Sequence, residues 1–366
     1  MGKITEIIVE YYRIPLDEQL GDAKHGIYTD FELPVVKIIT DDGIEGVGYT
    51  YTGGVGGRAI TAMIEYDLKP FLLGKDASSV EKLWEEMQWH IHYVGRGGIA
   101  SFAISAVDIA LWDIRAKKAG EPLYKLLGGC YDRTKCYAGG IDLNFSKEKL
   151  LENIQSYLDR GFRAVKIKLG QPTLEEDIER VEAVRELIGP SMPFMVDANM
   201  GWTVEQAIRA AQKLQRYDIL WLGEPTIPDD YDGYRLIRER GGVPIAAGEN
   251  FHTVYEFKQM IERGTIDFVQ PDASNIGGIT GWMKVANLAY AHNIPVCTHG
   301  MQELHVSLMA AIPHQSYMEV HSFPIDRYTE RPLVLDEEGR AVAPSVAGTG
   351  VSFNWERLKP YKVEWK

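Results

Sequence analysis

Hydrophobic and polar positions change their rhythm twice along the chain. Over residues 1–50 they alternate with a period of two. Ile4 to Arg13 is rich in Ile, Val and Tyr, Pro34 to Thr40 alternates, and Asp41-Asp42-Gly43 supplies a hairpin turn into Glu45 to Tyr51. Alternation of this kind predicts strands with one face covered. Leu16 to Asp30 is polar and reads as a loop carrying Asp22, Lys24 and His25. Gly53 to Arg58, dominated by glycine, reads as a second, mobile loop. No GK[ST] follows it, so it is not a phosphate-binding loop.

From Ala59 to Ala119 the spacing becomes helical. The clearest helix runs from about Ile99 to Lys118, with Phe102, Ala106, Ile109, Ala110 and Ile114 on one stripe, and Gly120 and Pro122 end it. Strands followed by helices predict an α+β domain over residues 1–125. After Gly128-Gly129 a third rhythm begins, in which a short apolar run and an amphipathic helix alternate. The predicted strands are Cys136–Gly139, Val165–Leu169, Phe194–Asp197, Leu220–Gly223, Ile245–Gly248, Phe268–Gln270, Val296–Thr298 and Tyr317–Val320. Such a repeat predicts an α/β barrel over residues 126–325. An open, doubly wound sheet would want a GxGxxG turn after its first strand, and none is present. Residues 326–366 return to turns and short strands and are expected to pack back on the N-terminal domain.

Charge narrows the partners. The 366 residues carry 39 basic and 52 acidic side chains, a net charge of −13, with no basic block. That field opposes a polyanion, so no nucleic acid is expected, and a small anionic substrate needs a local positive site. Cys130, Cys136 and Cys297 are odd in number and lack CxxC spacing, which argues against a disulfide framework or a zinc site and fits a reducing cytoplasm. No signal peptide or apolar run of membrane-spanning length is recognised, so no membrane partner is expected.

The local positive site has a candidate. In Val165-Lys166-Ile167-Lys168-Leu169-Gly170 the two lysines share one face of a short apolar strand. Parallel barrel strands are normally apolar throughout. Here one strand after another ends in an ionisable residue: Lys166 and Lys168, then Asp197, Glu224, Glu249, Asp272, His299 and Glu319. Barrel active sites are built at that end. Asp197, Glu224 and Glu249 form an oxygen-donor set of the kind Mg²⁺ prefers. His299 beside Asp272 forms a dyad, and the lysines stand on the other flank. A base on each side of a divalent ion suggests proton abstraction from a carbon held between them, with the metal carrying the enediolate charge.

The motifs that carry these residues resemble a known family. Lys166-Ile167-Lys168, Val196-Asp197-Ala198-Asn199, Gly248-Glu249-Asn250, Gln270-Pro271-Asp272 with Ile276-Gly277-Gly278, Thr298-His299 and Glu319 are similar to the enolase superfamily, specifically its mandelate racemase subgroup. The resemblance covers essentially the whole chain. It implies a modified (β/α)₇β TIM-like barrel with an α+β N-terminal capping domain completed by the C-terminal segment. It implies Mg²⁺ as cofactor, Lys168 as a base, Lys166 as its partner in neutralising a carboxylate, Asp272 and His299 as a dyad, Glu319 as an acid that hydrogen-bonds substrate, and Asp197 and Glu249 as metal ligands. The pattern departs at one ligand position, which falls on Gly223 of Trp221-Leu222-Gly223-Glu224-Pro225, so that Glu224 must reach in or water must replace it. Lys24, His25 and Asn199 are expected to touch substrate, with the loops near Lys24, His25 and Gly53–Arg58 closing over it. Within the subgroup the likeness is greatest to enzymes that cycloisomerise or dehydrate sugar acids, with a racemase as an alternative and a metal-impaired member as a further one. A Schiff-base aldolase using Lys168 is the reading from another class. The resemblance also implies a homo-oligomer, a dimer or octamer.

Overall fold

The computed structural model describes residues 2–365. Strands β1 (Ile4–Asp22), β2 (Gly26–Thr40) and β3 (Glu45–Tyr49) form an antiparallel sheet in that order. The stretch expected to be a loop, Leu16 to Asp30, is instead the tip of the β1–β2 hairpin. Pairing is irregular between Pro15 and Leu20 and then resumes from Leu20↔Tyr28 to Asp22↔Gly26. The tip is polar yet ordered because the next domain holds it: Gly21 O accepts from Leu143 N at 3.0 Å, and Gly21 N donates to Ile141 O at 3.3 Å.

Helices follow at Gly57–Ala62, Val80–His90 and Ile99–Ala119. The last is buried along most of its length and lies directly on β3. Two glycines permit this approach. A Cβ on Gly48 would stand 1.9 Å from Ala106 O, and one on Gly46 would stand 2.2 Å from Ala110 O. The same helix joins the cap to the barrel. Asp108 Oδ2 accepts from Thr280 N at 2.9 Å, and Ser105 Oγ accepts from Gly277 N and Gly278 N, both at 2.9 Å.

The second sheet is parallel and runs β10-β4-β5-β6-β7-β8-β9, comprising β4 (Arg133–Gly139), β5 (Val165–Lys168), β6 (Phe194–Asp197), β7 (Leu222–Gly223), β8 (Ile245–Ala247), β9 (Phe268–Val269) and β10 (Tyr317–His321). Val296 closes the ring through parallel bridges to Val269 on one side and Gln315 on the other. The expected strand Val296–Thr298 is therefore present only as this bridge. Helices separate successive strands, from Lys147–Asp159 to Gln302–Ala311. The fold is the capped α/β barrel expected from the sequence. After β10 the chain adds a short antiparallel strand, β11 (Arg340–Val342), beside β4, and Val363 N then donates to Tyr11 O at 2.9 Å on the cap.

Inward side chains fill the barrel in layers. The lower layer is a separate apolar cluster of Tyr137, Ala164, Met195, Trp221 and Ala246. The next inward layer is charged, and it forms the floor of the site.

Candidate active site

The strand period places Lys166 and Lys168 inward and Ile167 outward. Both lysines are buried, and Lys166 lies over the Tyr137 and Trp221 rings of the layer below, with Nζ at 5.5 Å and 6.0 Å from their centroids. Buried ammonium groups need anions. Lys166 Nζ has Glu319 Oε1 at 2.6 Å and Asp197 Oδ2 at 3.2 Å, and Lys168 Nζ has the same Asp197 oxygen at 2.8 Å. Gly139 makes room for this arrangement, since a Cβ there would stand 2.1 Å from Glu319 Oε1.

These contacts set the charges. Burial alone would lower both lysines, but the surrounding carboxylates hold them above their ordinary range. Burial would raise Asp197 and Glu319, but Lys168 and Lys166 hold Asp197 low, and Lys166 and His299 hold Glu319 low. Glu249 follows the opposite course: burial, assisted by the Asp197 charge, raises it.

Across the mouth, His299 Nδ1 lies 2.9 Å from Asp272 Oδ2, and Ser274 N donates to Asp272 Oδ1 at 2.7 Å. Burial would lower His299, but Glu249 and the bond to Asp272 push it up to about 9. Its Nε2 lies 3.7 Å from Glu249 Oε2 and 3.9 Å from Glu319 Oε2. The dyad also has a partner from the cap that sequence reasoning missed. Tyr51 OH donates to Asp272 Oδ2 at 2.9 Å and lies 3.2 Å from His299 Nδ1.

A cavity of about 630 Å³ separates barrel and cap. Lys168, Asn199, Glu249, Asp272 and His299 line it from below, and Asp22, His25, Tyr28, Tyr51 and Phe102 from above. Asp22 organises the hairpin tip by accepting from Tyr28 OH at 2.7 Å and facing His25 Nδ1 at 3.0 Å. His321 also lines the cavity and was not singled out from the sequence. The signal was available: Glu319-Val320-His321 places a histidine on the same strand face as Glu319.

Two expected residues lie elsewhere. Lys24 is exposed at the hairpin tip and does not line the cavity, because the turn gives its backbone N–H, not its side chain, to Asp22 at 2.9 Å. Glu224 does not join the metal set. The inward position of β7 belongs to Gly223, paired with Asp197, so the next residue turns away. Its carboxyl accepts from Gly248 N at 2.8 Å and meets Tyr234 OH at 3.0 Å, and burial and Glu249 push its pKa up to about 8.

The remaining oxygen donors fit a divalent cation. Asn199 N donates to Asp197 Oδ1 at 2.9 Å while its Nδ2 lies 3.5 Å from Glu249 Oε1, so one residue spans both carboxylates. Its own Oδ1 is buried without a hydrogen-bond partner. Two buried carboxylates that repel each other, beside an orphaned amide oxygen, make a hard-oxygen set suited to Mg²⁺.

Comparison with known proteins identifies the family. Residues 25–128 match the family model "Mandelate racemase / muconate lactonizing enzyme, N-terminal domain", and residues 149–357 match "Enolase C-terminal domain-like". The chain belongs to the mandelate racemase/muconate lactonizing enzyme family. It is 47% identical to the 3,6-anhydro-alpha-L-galactonate cycloisomerase of Streptomyces coelicolor, over 97% of this chain and 98% of that protein. Among solved structures of the family, a racemase from Streptomyces coelicolor A3(2) with bound magnesium superimposes with a TM-score of 0.96 at 47% identity, covering 98% of this chain and all of the other. L-talarate/galactarate dehydratase from Salmonella typhimurium LT2, liganded with Mg and L-lyxarohydroxamate, gives 0.95 at 34% identity, with 99% and 93% covered.

Proposed function

We propose that this protein is a Mg²⁺-dependent sugar-acid cycloisomerase that converts 3,6-anhydro-L-galactonate to a 2-keto-3-deoxy sugar acid. The observation that carries the reading is the pairing of Lys168 with the Asp272–His299 dyad in one cavity, above the Asp197–Glu249 oxygen set. When bound there, Mg²⁺ would hold the substrate carboxylate, stabilise the enediolate charge and compete with Lys168 for Asp197.

The chain's own groups supply the rest. Lys166 neutralises the carboxylate end from the floor. Lys168, once free of its proton, takes the C2 proton. His299, held in one orientation by Asp272, carries a proton that it gives to the departing β-oxygen. The C2–H electrons form the C2=C3 bond and the C3–O bond breaks. Because that oxygen is a ring ether still attached at C6, it remains in the product, and the enol tautomerises to the ketone without loss of water. A dehydratase of the galactarate/talarate type would use the same groups and release that oxygen as water. The aldolase reading is disfavoured, because a Schiff-base lysine leaves the Asp197–Glu249 oxygen set and the Asp272–His299 dyad without a task.

The compartment and assembly belong to this reading. Three free cysteines, two of them buried, support a reducing cytoplasm. None of the helices among the described residues is long and apolar enough to cross a membrane. Likeness to the family favours a homo-oligomer, a dimer or octamer, and exposed Tyr93 and Val94 offer apolar surface for such a contact. The test is a panel of acid sugars assayed for 2-keto-3-deoxy products, with substrate and product masses compared. A product of unchanged mass from the anhydro acid, lost in chelator, is expected. Full activity in chelator would overturn the assignment, and loss of 18 mass units would reassign the protein as a dehydratase.

A further inference from the structure

His321 is an ionisable group on the barrel side of the cavity wall, beside His299, to which the mechanism above gives no task. It follows Glu319 by two positions on β10, so it shares the inward face and stands roughly 7 Å nearer the mouth. Its ring lies against that of His299, with centroids 5.2 Å apart and planes at 71°. By distance, His299, Glu319 and His321 form a possible metal cluster. Hydrogen bonding argues against that role. Phe323 N donates to His321 Nδ1 at 3.1 Å, so Nδ1 carries no proton and the neutral ring bears its hydrogen on Nε2. A protonated Nε2 cannot ligate a metal. Among the described residues this N–H makes no hydrogen bond to a protein acceptor.

We propose that His321 is a fixed hydrogen-bond donor to the departing β-oxygen of the sugar acid; the inference rests on the cycloisomerase reading above. The carboxylate end of the substrate belongs to the charged floor of Lys166, Asp197 and Glu249, and C2 lies between Lys168 and His299. The oxygen on C3 therefore falls one layer higher, beside His299, where the Nε2–H of His321 opens. Burial holds the His321 pKa down to about 3, so the ring keeps its single proton at neutral pH and donates without titrating. His299 delivers the proton, while His321 stabilises the oxygen as negative charge develops on it. A preorganised donor of this kind typically contributes about 10²–10³-fold in rate.

The experiment separates this role from a structural one. In D₂O, the wild type and His321→Phe are given 3,6-anhydro-L-galactonate with Mg²⁺, and both product formation and deuterium uptake at C2 of recovered substrate are followed by NMR. The expected result is a loss of roughly 100-fold in product formation with C2 exchange retained, and partial recovery in His321→Gln, which keeps an N–H donor. Unchanged product formation, or equal loss of exchange and elimination, would overturn the proposal. A second measurement does not depend on the substrate: ¹⁵N-edited NMR of the holoenzyme is expected to show His321 as the Nε2–H tautomer from pH 5 to 9. An Nδ1–H tautomer, or a titration in that range, would overturn the donor role. Absence of turnover by wild type on every acid sugar, with the tautomer as expected, would count against the cycloisomerase reading instead.

Discussion

Lys168 Nζ lies 2.8 Å from Asp197 Oδ2, at the register position where β5 pairs with β6. The candidate base and a candidate metal ligand thus compete for one oxygen. In the metal-free protein the ammonium form is favoured, and a lysine held this way cannot accept a proton. Base function should therefore depend on a cation at Asp197. Lys168→Met is expected to abolish C2–H exchange, a loss of at least about 10³-fold, while leaving the protein folded. Exchange in D₂O followed by ¹H NMR, with circular dichroism as the control, checks this.

Asp272 and Tyr51 make a second case. Asp272 orients His299, and Tyr51 donates to the same Asp272 oxygen. Asp272→Asn leaves the ring without its anionic partner and should lower kcat by roughly 10²–10⁴-fold. Tyr51→Phe removes a donor that competes with His299 for the carboxylate, so the Asp272–His299 interaction should strengthen. The basic limb of the pH–rate profile is then expected to move to higher pH, with kcat falling less than in Asp272→Asn. A limb that stays in place would show that Tyr51 acts only by packing.

His299 also makes stability depend on pH. Its folded value of about 9 exceeds the ordinary value of 6.5. The folded state therefore binds more protons than the unfolded state between those limits. Its contribution is complete below about pH 6.5 and is lost as pH rises through about 9. For a largely buried group this amounts to on the order of 3 kcal/mol. Thermal melts in chelator should show Tm falling across that window, and His299→Gln should flatten the fall.

Much of this site could be read from the sequence, because barrel strands are short apolar runs and an ionisable residue at the end of each stands out against them. Asp197, Glu249, Asp272 and His299 were visible for that reason. Three features were not. Glu224 stands between two readings: the series of strand-end acids puts it in the metal set, whereas the resemblance puts the ligand position on Gly223, and the pairing of Gly223 with Asp197 turns the Glu224 side chain away. The β1–β2 tip looked like a loop because its order comes from Gly21 bonding to Ile141 and Leu143, contacts remote in sequence. Tyr51 was hidden because it reaches across the domain boundary to Asp272.

The seating of the Ile99–Ala119 helix on the cap sheet depends on two glycines in β3, Gly46 and Gly48. Gly48→Ala would place a methyl group 1.9 Å from Ala106 O, against helix backbone that cannot move aside as a flexible side chain would. Destabilisation of roughly 1–3 kcal/mol or more is expected. It should appear as a lower Tm and, because Tyr51 lies shortly after this strand, as reduced activity in the fraction that still folds. Urea unfolding of the two proteins measures the difference.

The metal set offers the sharpest contrast between neighbouring residues. Gly223 faces Asp197, and a Cβ there would lie 3.3 Å from Asp197 Cγ and 3.0 Å from Trp221 Cζ3. Gly223→Glu therefore adds a third carboxylate to the Asp197–Glu249 set once the Trp221 ring gives slightly. The added charge should favour a divalent ion and disfavour the empty site. We expect Mn²⁺ affinity to rise roughly tenfold and the chelated protein to melt at lower temperature, since like charges then lack their cation. Glu224→Gln is the matching control. With its pKa raised to about 8, Glu224 is largely protonated at neutral pH. The amide can still accept from Gly248 N and meet Tyr234 OH, so metal affinity should stay within about twofold. Calorimetric titration of Mn²⁺ into the three proteins distinguishes the cases. A collapse of affinity in Glu224→Gln would mean that Glu224 reaches the ion after all, whereas unchanged affinity in Gly223→Glu would mean that the new carboxylate cannot enter the site past Trp221.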